Sequence, residues 1–454
     1  MQLNLIQKYN IQGPRYTSYP TVPYWEPELF TAEGWKNALV RSFSETNAQQ
    51  GISVYIHLPF CESLCTFCAC HKRITRRHDV ELPYIETVLK EWSLYCALLP
   101  EPPVIQELHL GGGTPTFFSP DNLALLLNGI FSKAVIATSP EFSFEGHPNN
   151  TTTAHLQTLS KLGFRRVSFG VQDYDPAVQK AIHRIQPFER VAAATAGARS
   201  AGYESISHDL VFGLPFQTWE SMQATIERTI ELKPDRIAFY SYAHVPWVKG
   251  VGQRGFRDTD LPSPELKRKL YEDGKALLER SGYIEIGMDH FAWPGDRLHQ
   301  SLHNGRLHRN FMGYSSSATQ VMIGLGMSAI SDSWYAFAQN EKSVEAYTDA
   351  VHAGRLPVVK GHLLDEEDLK IRKHILNLMC RLRTSWAEPE MQLNALPEIT
   401  ARLQEMEQDG LLEMFDTELH VTDKGRAFVR NIAMAFDLRL IRKQPDTQIF
   451  SMTV

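Results

Sequence analysis

Two kinds of segment alternate along the chain from about Ser53 to Met288. One kind is short and rich in β-branched and aromatic residues, whereas the other carries apolar residues at helical spacing, as at Met222, Ile226 and Ile230. Strands that alternate with helices predict a parallel sheet with helical crossovers, and about six or seven such units would form a barrel or most of one. The predicted strands are Ser53–Leu58, Glu107–Leu110, Glu141–Glu145, Arg166–Gly170, Ile206–Phe212, Arg236–Tyr240 and Tyr283–Met288.

The chain on either side of this region follows a different pattern. Residues 1–50 form an N-terminal arm, and we expect its segment 13–20, with two prolines, two tyrosines and an arginine, to be an ordered loop lying over another part of the protein. Residues 341–454 begin with two predicted helices, Asp365–Arg383 and Glu398–Gln408, which are followed by a hairpin. We therefore predict an α/β fold: a partial (β/α)6-type TIM-like barrel over residues 51–340, preceded by the arm and followed by a mostly α-helical, winged-helix-like C-terminal domain.

Composition and charge exclude several classes of function. The 454 residues are 43% hydrophobic and 22% charged, as in a soluble globular protein, and the formal net charge is −6. The segment between Ser385 and Asp437 has eleven acidic and four basic residues. Its net negative charge would repel a phosphate backbone. No apolar run is long enough to span a membrane, and the N-terminus lacks the pattern of a signal peptide. We expect a cytoplasmic monomer that binds neither nucleic acid nor a membrane.

Four of the six cysteines lie within ten residues, at Cys61, Cys65, Cys68 and Cys70. Such a cluster in a reducing compartment points to metal rather than to disulfides. A Cys-x3-Cys-x2-Cys loop can hold three irons of a [4Fe–4S] cluster and leave the fourth iron open. In radical chemistry the open iron binds the amino and carboxylate groups of S-adenosylmethionine. We therefore predict that Cys61, Cys65 and Cys68 are the metal ligands and that Cys70 is not one.

A structural zinc site is the alternative interpretation of the same cysteines. Zinc would take a fourth ligand from Cys70, His57 or His71. Structural zinc sites usually use two separated pairs of ligands, and no second pair follows this loop. Cys70 also lies only two residues after Cys68, which makes a tetrahedral arrangement awkward. The motif favours the iron–sulfur cluster.

Polar groups follow the predicted strands at the end where a barrel carries its reactive loops. The cysteine loop follows the first strand, and the second strand ends in a glycine-rich turn, Gly111–Pro115. The third strand ends at Glu145, the fourth ends near Gln172, and the fifth carries Asp209. Each residue alone could be a solvated loop or helix cap. Four consecutive strands with polar groups at one end indicate a site for the ribose hydroxyls and the ammonium group of the cofactor.

The cysteine loop resembles that of the radical S-adenosylmethionine superfamily. With its final Cys-x-Cys and the arm segment Pro14–Pro20, the chain looks like the family of oxygen-independent coproporphyrinogen III oxidases, also called dehydrogenases. The shared order of motifs along nearly the whole chain makes the resemblance specific. These motifs are Gly111–Thr116, Gly170–Asp173, Asp209–Pro215, Gly287–Ala292, His308–Phe311, Thr422–Arg426 and Arg430–Asn431.

The resemblance implies a reaction and a set of site residues. The family converts two propionates of coproporphyrinogen III to vinyl groups in anaerobic haem synthesis. A 5′-deoxyadenosyl radical abstracts a hydrogen from the propionate, and carbon dioxide then leaves. The reaction also needs an electron donor and an electron acceptor, which the sequence does not identify. The resemblance also implies two bound S-adenosylmethionine molecules. It further implies catalytic roles for the three cysteine ligands, Tyr55 and Glu145. By motif, the molecule on the cluster would contact Tyr55, Gly112, Glu145 and Ile330, and the second would contact Phe67, Gly113, Thr114, Gln172, Arg184, Asp209 and Ala243.

A tetracarboxylate substrate should need arginines, which bind carboxylates through paired N–H groups. The candidates by position are Arg15, Arg165, Arg166 and Arg309, although each could be an ordinary surface charge. Our hypothesis is that the arm around Arg15 folds over the barrel mouth when substrate is bound.

The chain departs from the family pattern at two places that we expect to lie near the cofactor. Glu145 is followed by Gly146-His147, where many members have a hydrophobic residue and an aspartate. The segment Ser315–Val321 carries Thr319-Gln320-Val321, where many members have a Thr-Asp pair. These departures bear on details of contact rather than on the fold.

A haem-handling relative within the superfamily, such as a haem chaperone or an anaerobic haem-degrading methyltransferase, is the second hypothesis. Such relatives generally lack both the arm segment and the final cysteine of the loop. Because this chain has both, the sequence favours the oxidase.

Overall fold

The computed structural model describes residues 3–245, 253, 255–443 and 449–453. Within them, a twelve-stranded sheet forms the largest layer. Its strands are β1 Ile52–Leu58, β2 Val104–Gly112, β3 Val135–Gly146, β4 Phe164–Gln172, β5 Ser205–Phe212, β6 Arg236–Ser241, β7 Ile284–Gly287, β8 His290–Ala292, β9 Met322–Leu325, β10 Ile330–Asp332, β11 Ala336–Asn340 and β12 Val358–Leu363.

The sheet has a parallel centre and antiparallel edges. Strands β1 to β6 are adjacent in chain order and parallel, and β9 adds a further parallel neighbour on the outer side of β1. Antiparallel strands β10, β11 and β12 extend the β9 edge, and β8 and β7 extend the β6 edge. Consecutive parallel strands bring their C-terminal ends to one side, as in a barrel of alternating strands and helices. The predicted partial barrel is confirmed.

Helices connect the strands and flank the sheet. Side-chain caps mark where two of these helices begin: Thr218 caps the helix Trp219–Glu231, and Ser263 caps Pro264–Arg280 with proline at its first turn. The described helices are Leu3–Tyr9, Ala32–Gln50, Glu81–Leu98, Pro120–Phe131, Thr153–Lys161, Pro176–Ala181, Phe188–Ser200, Trp219–Glu231, Pro264–Arg280, Arg297–His303, Val344–His352, Glu366–Arg381, Leu396–Gln408, Val429–Met434 and Leu438–Arg442. No helix among the described residues has the length and apolarity needed to span a bilayer.

One of the predicted parallel strands has a different direction. The segment Tyr283–Met288 does form a strand, β7, but it is the outer strand of an antiparallel hairpin with β8. The prediction of a seventh parallel strand at this position is therefore wrong. The local pattern of residues specifies a strand, whereas its direction depends on the short turn at Asp289, which has a φ of 63°. The seventh parallel strand is β9, which follows the helix Arg297–His303 and a short antiparallel pair of strands, His308–Asn310 and Gly313–Ser315.

The C-terminal part has its own apolar core. The helices Glu366–Arg381 and Leu396–Gln408 pack with a small antiparallel sheet of Arg383–Ser385, Glu418–Val421 and Leu412–Met414, which matches the predicted helices and hairpin. Tyr16 and Tyr19 of the arm are buried in the same core. The arm segment is thus an ordered loop, as predicted, and it lies against this C-terminal part.

The boundaries that the sequence suggests at residues 50 and 340 remain a prediction. The helix Ala32–Gln50 buries Trp35, Leu39 and Phe43 in the core of the large sheet. Strand β12, after residue 340, pairs with β11 of the same sheet. Both elements extend the packing of the barrel beyond the predicted limits.

Candidate active site

A cleft of about 1090 Å³ opens at the C-terminal ends of the parallel strands. Its walls come from the cysteine loop after β1 and from the ends of β2, β3, β4 and β5. Most of the residues predicted for the site line this one cleft. They are Cys61, Cys65, Phe67, Cys68, Gly112, Gly113, Thr114, Glu145, Gln172, Arg184 and Asp209.

Each of the three predicted cysteine ligands has a hydrogen-bond donor at its sulfur. The Thr114 hydroxyl donates to Cys61 Sγ at 3.3 Å, and the Arg184 Nη1 donates to Cys65 Sγ at 3.6 Å. A side-chain hydrogen bond from Cys70 lowers the pKa of the Cys68 thiol to about 6. Donors of this kind stabilise thiolates, the form of cysteine that binds metal.

The fourth cysteine of the loop is chemically distinct from Cys68. The hydrogen bond with Cys68, together with burial, raises the pKa of the Cys70 thiol well above its usual value. Cys68 and Cys70 thus differ in the direction of their pKa shifts, and that Cys68 rather than Cys70 is a ligand stays a prediction.

The glycine-rich turn after β2 packs directly against the cysteine loop. Gly113 donates its backbone N–H to Leu58 O at 2.8 Å, and Thr114 donates to Phe60 O at 3.0 Å. A Cβ on Gly112, which has a φ of 108°, would stand 2.7 Å from the His57 ring. Only glycine lets the turn come this close, so the turn fixes the cysteine loop relative to β2.

Glu145 presents a carboxylate to the cleft from the end of β3. Its Oε2 accepts the Gly112 N–H at 3.2 Å, and its Oε1 lies 3.5 Å from His109 Nε2. The side chain keeps 47% exposure, so an incoming ligand can reach it. Tyr55 lies behind it: a Cβ on Gly111 would touch the Glu145 carboxylate at 3.0 Å and the Tyr55 ring at 3.1 Å.

A second carboxylate, Asp209, and a cation, Arg184, also line the cleft. Asp209 accepts two hydrogen bonds from the Ser168 hydroxyl, at 2.8 and 2.7 Å, and burial raises the pKa of Asp209 to about 6. Arg184 also donates to Gly170 O at 2.7 Å, while its buried Nε has no hydrogen-bond partner among the described residues. An unsatisfied guanidinium N–H beside a thiol suits an anionic ligand group.

These residues fit the cofactors that the sequence predicts. A cubane cluster places each thiolate on a different iron, so its ligands need not surround one ion. Among the described residues, no three His, Cys, Asp or Glu side chains are grouped to hold a single metal ion. The carboxylates and the guanidinium provide partners for the ammonium, hydroxyl and carboxylate groups of S-adenosylmethionine.

Three of the predicted residues lie outside the lining of the cleft. Tyr55 is buried in the barrel, where its hydroxyl meets His57 Nδ1 at 3.2 Å. Ile330 lies in β10, next to Gly324 of β9. Ala243, just after β6, lines a separate cavity.

Sequence reasoning missed several side chains that complete the site. His109 stacks on Tyr55, with ring centroids 6.0 Å apart, and Phe311 meets the same ring edge-on at 4.9 Å. His109 could have been found, because it precedes Gly111 by two residues on β2 and therefore shares its face of the strand. Phe311 comes from a loop far along the chain, and no local pattern connects it to the site.

The arginine candidates for substrate binding differ in their surroundings. Arg165 is exposed and donates to Ser160 O at 2.7 Å, and Arg166 pairs with Glu141 at 3.1 Å. Arg309 is buried and donates to the backbone oxygen of Arg15 at 3.2 Å. The Arg15 side chain pairs with that of Asp289.

The two departures from the family pattern prove to be far apart. His147 lines the cleft, where burial and the nearby Arg184 lower its pKa to about 3. Thr319 contacts the Ser53 hydroxyl at 2.6 Å, at the start of β1 and thus at the opposite end of the barrel. The expectation that Thr319-Gln320-Val321 lies near the cofactor is therefore wrong, because this segment enters the barrel from its other end.

Comparison with known proteins gives a consistent result over the whole chain. Residues 55–229 match the family described as the Radical SAM superfamily. The chain is 39% identical to oxygen-independent coproporphyrinogen III oxidase of Helicobacter pylori, over 95% of each chain. It is 36% identical to the enzyme of that name from Escherichia coli K12, over 100% of this chain and 98% of the other.

A solved structure matches as well. The crystallographic study entitled "Coproporphyrinogen III oxidase (HemN) from Escherichia coli is a Radical SAM enzyme" describes a chain that superimposes with a TM-score of 0.89 at 34% identity. The match covers 96% of this chain and 98% of that one. The similarity therefore includes the arm and the C-terminal part as well as the barrel.

Proposed function

Since this chain belongs to the oxygen-independent coproporphyrinogen III oxidases of the radical S-adenosylmethionine superfamily, we propose that it converts coproporphyrinogen III to protoporphyrinogen IX in haem biosynthesis. Two propionates lose carbon dioxide and become vinyl groups without oxygen. The cofactors of the family are a [4Fe–4S] cluster and S-adenosylmethionine. The observation that carries the proposal is the cleft itself, in which three cysteine sulfurs, each with a donor, face Glu145 and Asp209.

We propose that Cys61, Cys65 and Cys68 hold the cluster. When bound, the cluster and S-adenosylmethionine supply a carbon radical that can take a hydrogen atom from the unactivated propionate chain. Thr114 and Arg184 donate hydrogen bonds to the sulfurs of Cys61 and Cys65, where such donors would stabilise thiolates bound to the cluster.

The carboxylates of the cleft orient the cofactor. Glu145, fixed by Gly112 and His109, presents a negative charge to an ammonium group. Asp209, fixed by Ser168, accepts hydrogen bonds from ribose hydroxyls. A molecule of S-adenosylmethionine that is held by a fixed carboxylate has little freedom, and for the molecule on the cluster this restraint keeps the reactive carbon aimed at the substrate.

We further propose two S-adenosylmethionine molecules per chain. The volume of the cleft, about 1090 Å³, supports this count, since one small ligand would leave much of that volume free. The molecule on the cluster contacts Tyr55, Gly112, Glu145 and Ile330, and the second contacts Phe67, Gly113, Thr114, Gln172, Arg184, Asp209 and Ala243.

The remaining partners follow from the chemistry of the reaction. A one-electron donor must reduce the cluster, and an acceptor must take an electron from the substrate after decarboxylation. We propose that the protein works as a cytoplasmic monomer. The net charge of −6 supports a site for small molecules rather than for nucleic acid.

The proposal is tested by product analysis under strict anaerobiosis. The reconstituted holoenzyme is given S-adenosylmethionine, a one-electron reductant and coproporphyrinogen III, and the products are separated by chromatography. We expect both protoporphyrinogen IX and 5′-deoxyadenosine. Cys65→Ser should abolish both, because it removes a cluster ligand, whereas the matched control Cys96→Ser, outside the cleft, should form both at the wild-type rate.

Each failure has a distinct meaning. If 5′-deoxyadenosine forms without a porphyrin product, the radical chemistry stands and the assignment of coproporphyrinogen III is wrong. If Cys65→Ser remains as active as Cys96→Ser, the cluster assignment itself is wrong.

A further inference from the structure

A second cavity, of about 410 Å³, lies beside the cleft at the C-terminal ends of β5 and β6. Phe212 and Gly213 line it from β5, and residues 241–244 line it from the end of β6. The helices Pro264–Arg280 and Val429–Met434 close its sides, and the arm reaches it. We call it the cationic cavity, after its lining residues Arg15, Lys267 and Arg430.

The cationic cavity has more positive than negative charge. Among the described residues that line it, Arg15 pairs with Asp289, and Glu285 pairs with Lys275 outside the cavity. In the described part of the chain, neither Lys267 nor Arg430 has a carboxylate within ion-pair distance. Arg430 is buried and Lys267 is half-buried, and a cation withdrawn from water is costly without an anion, so two such groups in one cavity indicate a site for an anionic ligand.

Backbone carbonyls hold both unpaired cations in place. Lys267 donates to Tyr242 O at 2.9 Å, and its side chain crosses Gly213, where a Cβ would stand 2.9 Å from Lys267 Cε. Arg430 donates to the backbone oxygens of Pro14 and Met452, both at 2.9 Å. Burial, with Arg15 adding repulsion, lowers the pKa of Lys267 to about 8 and that of Arg430 to about 9. The backbone carbonyls therefore position the cations of Lys267 and Arg430 without neutralising their charge.

One apolar cluster contributes side chains to both the cationic cavity and the cleft. Tyr242 and Leu261 line the cavity, and they belong to one apolar cluster with Phe67, which lines the cleft. A group bound in the cavity is therefore a neighbour of the reacting centre but is not in contact with the cysteine sulfurs. Binding energy of this kind, from parts of a substrate that do not react, positions the parts that do.

We propose that the cationic cavity binds a propionate of the porphyrinogen that is not being oxidised. This inference rests on the proposed function, which supplies a substrate with four carboxylates. Lys267 provides a charged donor to the carboxylate, and Arg430 and Arg15 add positive potential. The cavity would then select the substrate by the carboxylates that the product retains.

The test measures binding rather than turnover. Coproporphyrin III, a stable tetracarboxylate, is titrated by fluorescence into the anaerobic holoenzyme without reductant. Lys267→Met, which keeps the alkyl stem, should weaken binding roughly tenfold or more, the effect of losing one charge-assisted hydrogen bond. Lys267→Arg should restore most of the affinity. Lys269→Met, on the exposed side of the same helix and paired with Asp273, is the matched control and should bind as wild type does.

The melting temperature and the affinity for protoporphyrin IX are two further measurements. They distinguish a role of Lys267 in binding from a role in stability or in the reaction. Because the half-buried ammonium has no carboxylate within ion-pair distance among the described residues, Lys267→Met should melt at or above the wild-type temperature, whereas loss of a merely structural lysine would lower the melting temperature. Protoporphyrin IX, which keeps two propionates, should lose affinity by a similar factor in Lys267→Met.

The inference is overturned if Lys267→Met binds coproporphyrin III as tightly as Lys269→Met does, or if protoporphyrin IX is unaffected. If either result is found while the wild type produces protoporphyrinogen normally, the inference about the cavity is wrong and the proposed function stands. If porphyrin binding depends on Lys267 but the wild type forms no protoporphyrinogen, the inference about the cavity stands and the proposed function is wrong.

Discussion

The chemistry of this protein at the scale of single residues depends on what surrounds each cysteine sulfur. The spacing of Cys61, Cys65 and Cys68 could be interpreted from the sequence, because three thiols in one short loop have few other uses. The donors to those sulfurs could not. Thr114 and Arg184 lie 53 and 119 residues from the cysteines they contact, and only the fold brings them together.

The hydrogen bond from Thr114 should tune the cluster. Thr114→Val removes the donor to Cys61 Sγ and should lower the reduction potential of the cluster by roughly 40 mV, the one-electron equivalent of about 1 kcal/mol. Potentiometric titration followed by electron paramagnetic resonance measures the shift. Thr116→Val is the matched control, since Thr116 lines the same cleft and its hydroxyl contacts Thr151 instead. Equal potentials in the two variants would contradict this role.

Glu91 makes the stability of the protein depend on pH. Its carboxylate is buried among Gly326, Asn340 and Tyr347, and burial raises its pKa from 4.5 to about 7. Because the native state binds this proton more tightly, Glu91 costs no stability below pH 4.5 and progressively more as the pH rises to about 7. Relative to wild type, Glu91→Gln should therefore gain up to about 3 kcal/mol in unfolding free energy across this window.

Denaturant unfolding of the two proteins at several pH values measures the difference. A difference in unfolding free energy that stays constant over the window would show that Glu91 does not titrate there.

At the scale of elements, the sequence predicted the six consecutive parallel strands of the barrel, their alternation with helices and two C-terminal helices. It did so because alternating strands and amphipathic helices leave a clear local periodicity, as between Trp219 and Glu231. It did not predict the antiparallel edges. Strand β9 pairs with β1, although Met322 and Ser53 lie far apart in the chain, and no local pattern specifies such a partner.

The helix Ala32–Gln50 is an integral part of the barrel core, although the sequence suggested only an arm. Phe43 is fully buried there, so Phe43→Ala should destabilise the protein by roughly 3–5 kcal/mol. Leu29→Ala is the control: its side chain is 69% exposed, and its loss should change stability by less than about 0.5 kcal/mol. Chemical denaturation gives both values. Equal effects would mean that the helix is a peripheral attachment.

At the scale of the whole molecule, contacts between distant segments determine where the arm lies. The Tyr16 hydroxyl donates to Asp437 at 3.0 Å, and Arg15 pairs with Asp289, so the arm contacts both the C-terminal part and the barrel. The sequence indicated an ordered loop from its prolines and tyrosines, but it could not identify the surface beneath. The cationic cavity was equally hidden, since it combines the arm, β5, β6 and the C-terminal helices.

The most direct test of the account follows the hydrogen atom. Coproporphyrinogen III deuterated at the β-carbons of its propionates is turned over anaerobically with S-adenosylmethionine and reductant, and the 5′-deoxyadenosine is weighed by mass spectrometry. If the holoenzyme abstracts hydrogen from the propionate chain, 5′-deoxyadenosine gains one deuterium and protoporphyrinogen IX forms with it. Unlabelled 5′-deoxyadenosine alongside the porphyrin product would contradict the account, because the carbon radical would then have taken its hydrogen from elsewhere.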